Sequence, residues 1–439
     1  MVWIVERAQR ITGAQPAELR AVVWSFFYFF FLLASYFVLR PLRDEMGVAA
    51  GRDYLQWLFT ATFFVMLAAS PVYAFAVGRL PRARFIPVVY QFFVANLALF
   101  WLALQYDVFR AETARVFFVW VSVFNLFAVS VFWSFMADIF GTEQGKRLFG
   151  FIAAGGTAGT LLGSAATVTL AERLGTANLL IVAGILLELA IFCAMALERA
   201  CPRREEPIAP QADPDAPRAV GGDASDYKPG GMFDGFMLIV RSPYLAGIAL
   251  WVALLSLAGT FLYFMQQDVV RAASQDPAVR TRMFATMDLA ANLATLGLQF
   301  LATGAIIKRI GAGPSAAILP LIFAAGFAAL FVAPTLAIII AFQALQRTAN
   351  FAFSNPAREI FFTSVSRDEK YKAKNLIDAA VFRGGDLVWS WSFTGLRALG
   401  FSMSGIAAIA IPLMLGWCAL ALALGRAQDK RAVNAKKGV

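Results

Sequence analysis

The chain has no histidine, and its 439 residues include only three cysteines. The first absence removes the side chain most used for general acid–base work and for zinc ligation at neutral pH. Cys193, Cys201 and Cys418 show no CxxC spacing, so neither a disulfide framework nor a zinc site is supported, and no metal or other cofactor is expected. No glycine-rich phosphate loop of the Walker type follows a strand, which argues against ATP hydrolysis, and no nucleophile–base cluster points to an enzyme. Charged residues are scarce at 15%, while 60% of the chain is hydrophobic and the mean hydropathy is +0.67. Ala21 to Leu39 runs 19 residues without a charge. At ~1.5 Å per residue such a helix spans the ~30 Å hydrocarbon core, so the chain reads as an integral membrane protein.

Twelve spans are expected, with approximate cores at 21–39, 54–77, 85–105, 115–137, 148–170, 177–197, 244–267, 283–307, 315–332, 335–357, 376–396 and 403–425. Between the sixth and the seventh lies a polar stretch rich in Pro, Asp and Gly, too poor in apolar residues to fold on a core. The expected division is a six-helix half over 1–198, a cytoplasmic linker over 199–241 that ends in a short interfacial helix from Met232 to Arg241, and a second six-helix half over 242–439. The first apolar run is long enough to remain as a span, so no cleaved signal peptide is expected. The net charge of +10 is not a nucleic-acid signal, because the basic residues sit between apolar runs. Of the 38 Lys and Arg, 26 fall on the side that holds both termini and the linker, 10 on the other side and 2 within spans. The positive-inside rule then places both termini in the cytoplasm of a bacterial inner membrane protein, expected to act as a monomer.

The halves carry similar punctuation. The fourth span ends in Asp138-Ile139-Phe140-Gly141-Thr142 and the tenth in Glu359-Ile360-Phe361-Phe362-Thr363. Each is followed by a charged loop and a span with a glycine pair, Gly155-Gly156 and Gly384-Gly385. Two parallel six-span halves around a midplane site is the arrangement of major facilitator transporters. The fold class expected is therefore an all-α membrane protein of twelve transmembrane helices in two six-helix halves, major facilitator-type. The loop signature of that class is faint: Gly78-Arg79 and Lys308-Arg309-Ile310-Gly311 keep basic residues and glycine but no aspartate.

Arginines stand where a bilayer disfavours them. A charge at bilayer depth costs at least ~2.5–3.5 kcal/mol, so it faces a partner or a water-filled path. Arg347 and Arg383 lie inside spans, and Arg40 and Arg43 close the first one. Tyr36, Arg40 and Arg43 share one helical face, with Pro41 between them and Asp44 and Glu45 beyond as candidate partners. Guanidinium forks bind phosphate or carboxylate bidentately, which suits an anionic solute. Arg383 is followed three residues later by Asp386, either to orient a ligand-binding arginine or to neutralise it. Gln343, Arg347 and Asn350 form a polar stripe on the tenth span. Glu188 in the sixth span and Asp288 in the eighth are candidates to pair with an arginine or to carry a proton. Gly155, Gly159 and Gly163 repeat every four residues, a pattern for close helix packing rather than for phosphate binding. Trp133, Trp389 and Trp391 are candidates for stacking on a base, with packing the commoner role for membrane tryptophan.

At Leu39-Arg40-Pro41-Leu42-Arg43-Asp44, Phe132-Trp133-Ser134-Phe135, and Tyr371-Lys372-Ala373-Lys374-Asn375 through Ile377-Asp378 to Arg383-Gly384-Gly385, the chain resembles the nucleotide transporters of plastids and intracellular bacteria, the ATP/ADP translocases, and their free-living bacterial relatives. The resemblance implies that Arg43 and Arg383 stand where that family has substrate-binding lysines. The family's glutamates of the fourth and seventh spans have no match, since Ser122, Asn125, Gly259 and Thr260 occupy those regions. Their loss leaves a more positive cavity, open to another organic phosphate or a polycarboxylate.

The function expected is alternating-access transport of a small anionic solute, a nucleotide in ATP/ADP-type exchange or another organic phosphate. Arg43, Arg347, Arg383, Arg40, Tyr36 and Asn350 would bind it, with Asp386, Glu188, Asp288 and Asn125 in support. Alternatives are a proton-coupled transporter of a peptide, siderophore or drug using Glu188 or Asp288, and a non-transporting receptor or partner subunit. Apart from the solute, the expected partner is the lipid bilayer.

Overall fold

A computed structural model describes residues 15, 18–79, 82–200, 232–300, 309–365, 373–374 and 376–437. Most of the polar linker, Lys308, and Lys370 to Lys372 with Asn375 lie outside the described residues.

Helices occupy all twelve expected places: α1 Leu19–Ala49, α2 Leu55–Arg79, α3 Arg82–Gln105, α4 Arg110–Ile139, α5 Thr142–Leu174 and α6 Thr176–Ala200. The expected short helix follows as α7, Met232–Arg241, and then α8 Pro243–Ala273, α9 Pro277–Phe300 and α10 Ala312–Val332. The tenth span is α11 Leu336–Ala349, a π-helical turn Asn350–Ser354, and α12 Asn355–Phe361. A second π turn, Ile377–Val381, leads into α13 Phe382–Ala398, and α14 Met403–Lys437 ends the fold. Among the described residues nine of these spans are long and apolar enough to cross a bilayer. Of those that fall short, α9 carries the buried Asp288, and α13 is a 17-residue helix that follows a π turn and carries the Arg383–Asp386 pair.

Buried apolar residues form two clusters. One draws only on α1 to α6, with Tyr28, Phe124, Phe132 and Leu187 at its centre. The other draws on α7 to α14, with Trp251, Phe323 and Trp417 fully buried, and besides Ala50 also takes in four helical residues of the first half, Val48, Leu55, Leu58 and Phe118. These four lie at the end of the bundle reached by the C-terminus of α1, which is where the two sets of helices meet.

The first cluster depends on α1 and α5 touching backbone to backbone. A Cβ at Gly159 would sit 2.1 Å from the Phe30 carbonyl oxygen, and one at Gly163 would sit 2.4 Å from that of Ala34. The four-residue glycine repeat is therefore the groove that receives α1.

Polar contacts close the end where the clusters join. Arg280 of α9 donates to Glu45 of α1 at 2.5 Å, with side-chain exposures of 8% and 2%. Arg271 donates to the Val48 carbonyl at 2.9 Å, and Tyr263 to Asp44 at 2.9 Å. Trp391 of α13 donates to Thr60 of α2 at 3.0 Å, and Arg282 pairs with Glu172 at 2.7 Å. Removing one partner of a buried pair strands the other charge, at a cost of roughly 3–5 kcal/mol. Arg280→Ala is therefore expected to lower the melting temperature sharply and to make a cysteine placed at Val48 newly reactive to water-soluble thiol reagents. Unchanged melting and labelling would show that this seal does not hold the bundle shut.

Candidate functional site

A cavity of about 360 Å³ lies between the helix sets, and one of about 430 Å³ adjoins it within the second set, among α8 and α10 to α13. α1 contributes Tyr36, Arg40 and Arg43 to the first, α4 contributes Ser122 and Asn125, and α8 contributes Thr260 and Tyr263. Gln346, Asn350, Asn355 and Arg358 line the second. Both share Gly259, Phe382, Arg383 and Asp386, so α13 forms the ridge between them.

Each arginine has a different electrostatic setting. Arg43 donates through Nε and Nη2 to one oxygen of Asp44, at 3.2 and 2.8 Å, and its guanidinium lies 5.0 Å from the centre of the Phe118 ring. Asp44, which also accepts from Tyr263, is thus the partner of Arg43, while the neighbouring Glu45 turns to Arg280. Arg347 bonds directly to Asp288. Arg40 reaches the same carboxylate oxygen at 3.4 Å, and the second oxygen of Asp288 is buried without a hydrogen-bond partner. One carboxylate therefore serves two guanidinium groups from α1 and α11. Arg383 is the loosest: its side chain is 49% exposed and stands 3.9 Å from Asp386.

Asp386 is held elsewhere. Its Oδ1 accepts from Ser256 of α8 at 2.7 Å and from Thr260 at 3.5 Å. This reach needs Gly385, where a Cβ would approach the Ser256 hydroxyl to 2.7 Å. Four guanidinium groups, Arg40, Arg43, Arg347 and Arg383, face three carboxylates, Asp44, Asp288 and Asp386, leaving a surplus of one positive charge. Arg358 adds a further cation to the wall of the second cavity.

The structure thus gathers Tyr36, Arg40, Arg43, Asn125, Asn350, Arg383 and Asp386 around the cavities. Arg347 and Asp288 stand behind Arg40 as a pair and not on the walls. Glu188 belongs to neither group. It is exposed on the outer face of α6, where both its oxygens accept from Gln91 of α3 at 3.0 Å. The π turn that begins at Asn350 leaves its buried side-chain oxygen without a partner beside the second cavity. None of the three tryptophans lines a cavity: Trp133 packs edge-on against Phe29, Trp389 donates to the Ala253 carbonyl at 3.0 Å, and Trp391 binds Thr60.

Sequence reasoning missed Ser256, Tyr263 and Arg358. Ser256 and Tyr263 flank Gly259 and Thr260 at helical spacing, so the stripe was present in α8, but hydroxyls within an apolar run carry little signal. Arg358 reads as an end-of-span cation until it is seen on the wall of the second cavity.

No protein-family model matches the chain, and no curated protein matches its sequence. Solved structures do match its shape. A bacterial homologue of the human lysosomal transporter Spinster, in an inward-facing and unoccupied conformation, is 17% identical, covers 95% of this chain and 94% of its own, and has a TM-score of 0.58. A mutant of the nucleoside transporter NupG gives 15% identity, coverage of 94% and 99%, and a TM-score of 0.63. An auto-inhibited peptide transporter of the POT family gives 15% identity, coverage of 94% and 96%, and a TM-score of 0.60. What this chain shares with them is the fold, an all-helical multi-pass membrane architecture of the major facilitator type.

Proposed function

We propose that the protein is a secondary transporter of the major facilitator type that moves an organic anion, a nucleotide or another organic phosphate, by alternating access. One observation carries this reading: Arg383, half exposed on the ridge shared by both cavities, has among the described residues only a distant carboxylate that two hydroxyls already hold. A guanidinium so placed has donors to spare for phosphate or carboxylate oxygens. Arg40, Arg43 and Tyr36 offer a second set of donors across the first cavity, and Phe59, Phe63 and Met66 of α2 give its wall an apolar stretch for the organic part of a solute. The polar seal lies at the end away from the N-terminus, so with both termini cytoplasmic the site opens to the cytoplasm. The likeness to an inward-facing structure agrees with that orientation. The division into a half over 1–198, a linker and a half over 242–439 gives two bodies to rock about the site.

Proteoliposomes loaded with unlabelled nucleotides, sugar phosphates or dicarboxylates and given the labelled solute outside test this reading. Exchange that needs the internal anion supports it. No exchange with any of these solutes, by protein that still folds, refutes it.

A second reading, proton-coupled uptake of a different solute, is favoured by Asp386, a cavity carboxylate with hydroxyl partners and only a distant cation. Its prediction differs. An imposed pH gradient would drive uptake, and Asp386→Asn would abolish that drive while sparing counterflow. Under the exchange reading the gradient has no effect in either protein. Glu188→Gln is expected to leave both assays unchanged, because the side chain faces away from the cavities.

A further inference from the structure

A third void, of about 1020 Å³, lies between α2, α3 and α4, apart from the central cavities. Leu58 and Val65 of α2, Val88 and Phe92 of α3, and Val119 and Val123 of α4 wall it. Its origin is a divergence of consecutive helices. α2 leans on α4 and on α13, where Trp57 meets Trp391 edge-on at 4.9 Å, while α3 packs against α6. The slot between them opens outward: Trp57, Phe92 and Val116 are each more than half exposed.

One cation stands in this apolar wall. Arg115 lies five residues inside the start of α4, so roughly 7 Å along the helix from its end. Its guanidinium sits 3.6 Å from the centre of the Tyr54 ring, and its Nε is buried without a hydrogen-bond partner. The facing acid is Glu112, 3.7 Å from Nη1, but its side chain is 62% exposed and a turn nearer the surface. An apolar slot at hydrocarbon depth with a cation near the headgroup level matches an amphiphile with one long chain and a negative head.

We propose that this slot holds one acyl chain of an anionic phospholipid whose phosphate meets Arg115. Because α2 also carries the Thr60 and Gln56 contacts to α13, a chain lodged behind it braces the sealed end.

Native mass spectrometry of the detergent-purified protein, titrated with phosphatidylglycerol or phosphatidylcholine, tests this. The expected result is one retained phosphatidylglycerol, a higher melting temperature, and a preference over phosphatidylcholine of about fivefold, the weight of one basic side chain near the surface. Arg115→Ala should erase the preference and keep some retention. Val119→Trp, which fills the slot, should lose retention of both lipids. Val123→Trp repeats that test at a second wall position, and helical circular dichroism shows which variants fold. Equal retention of both lipids by the native protein, or retention undiminished in folded slot-filling variants, overturns the proposal. So does a dimer whose contact depends on Val119, since a second copy would then occupy the slot. The lipid result stands or falls without reference to which solute the central cavities carry.

Discussion

Gly159→Ala is expected to prevent stable folding. The new methyl carbon would lie 2.1 Å from the Phe30 carbonyl oxygen and 2.9 Å from its carbon, and both atoms belong to the backbone of α1, which no side-chain rotation can move. The helices must separate by more than an ångström. That separation also loosens Gly155, whose own Cβ position lies 2.5 Å from the Phe26 carbonyl, and Gly163 against Ala34. Interiors tolerate such overpacking poorly, with about 1–3 kcal/mol lost per forced contact and more where backbone is involved. Helix association in a bilayer has little beyond close packing to draw on, so little is left to compensate. Gly150→Ala and Gly184→Ala are the controls, since nothing lies within 4 Å of the added carbon at either position. Size-exclusion profiles and melting curves in detergent should show aggregation or a collapse of the melting temperature for Gly159→Ala, and near-native behaviour for the controls. A Gly159→Ala protein that melts with the controls would mean that α1 and α5 are not in backbone contact.

Arg383→Ala is the variant expected to lose most transport. Its charged donors supply hydrogen bonds worth ~1.5–3 kcal/mol to an anion, so flux should fall between about tenfold and a hundredfold. Folding should survive, because the side chain is half exposed and, among the described residues, its one carboxylate partner is 3.9 Å away and keeps Ser256 when the arginine is gone. Arg383→Lys separates charge from geometry. It keeps a cation on the ridge with a single-point donor, so it should retain a large share of the flux while showing weaker half-saturation. A thermal-shift titration with the transported anion gives the same comparison without flux, because a ligand that binds only the folded state raises its apparent stability. Full flux and an unchanged ligand shift in Arg383→Ala would remove the ridge from the binding site.

Within each helix the sequence was informative. Charge-free runs bounded by charges located twelve spans, because a single helix must satisfy the bilayer by itself. Tyr36, Arg40 and Arg43 share a face by spacing alone, and so do Arg383 and Asp386. Partnerships between helices were not legible. Asp44 and Glu45 are adjacent, yet one takes Arg43 and the other crosses to Arg280 on α9. Glu188 and Asp288 looked alike as lone acids in apolar spans, yet one faces outward with Gln91 and the other sits between two arginines. Periodicity tells which residues share a side of a helix. It does not tell which neighbour that side meets, and here the bundle decides. The two π turns were also out of reach, because the extra residue per turn leaves no compositional mark in Asn350–Ser354 or Ile377–Val381.

The shared carboxylate of Asp288 has a consequence for turnover. Arg40 approaches it from α1, while Arg347 and Asp288 itself belong to α11 and α9. Any swing that draws α1 away from α9 takes Arg40 off the Asp288 carboxylate and frees its donors for a travelling anion. Under the exchange reading proposed above, the loaded protein then crosses between its two states more easily than the empty one. On that reading the carrier resists running idle, and one-for-one trade across the membrane needs no additional lock.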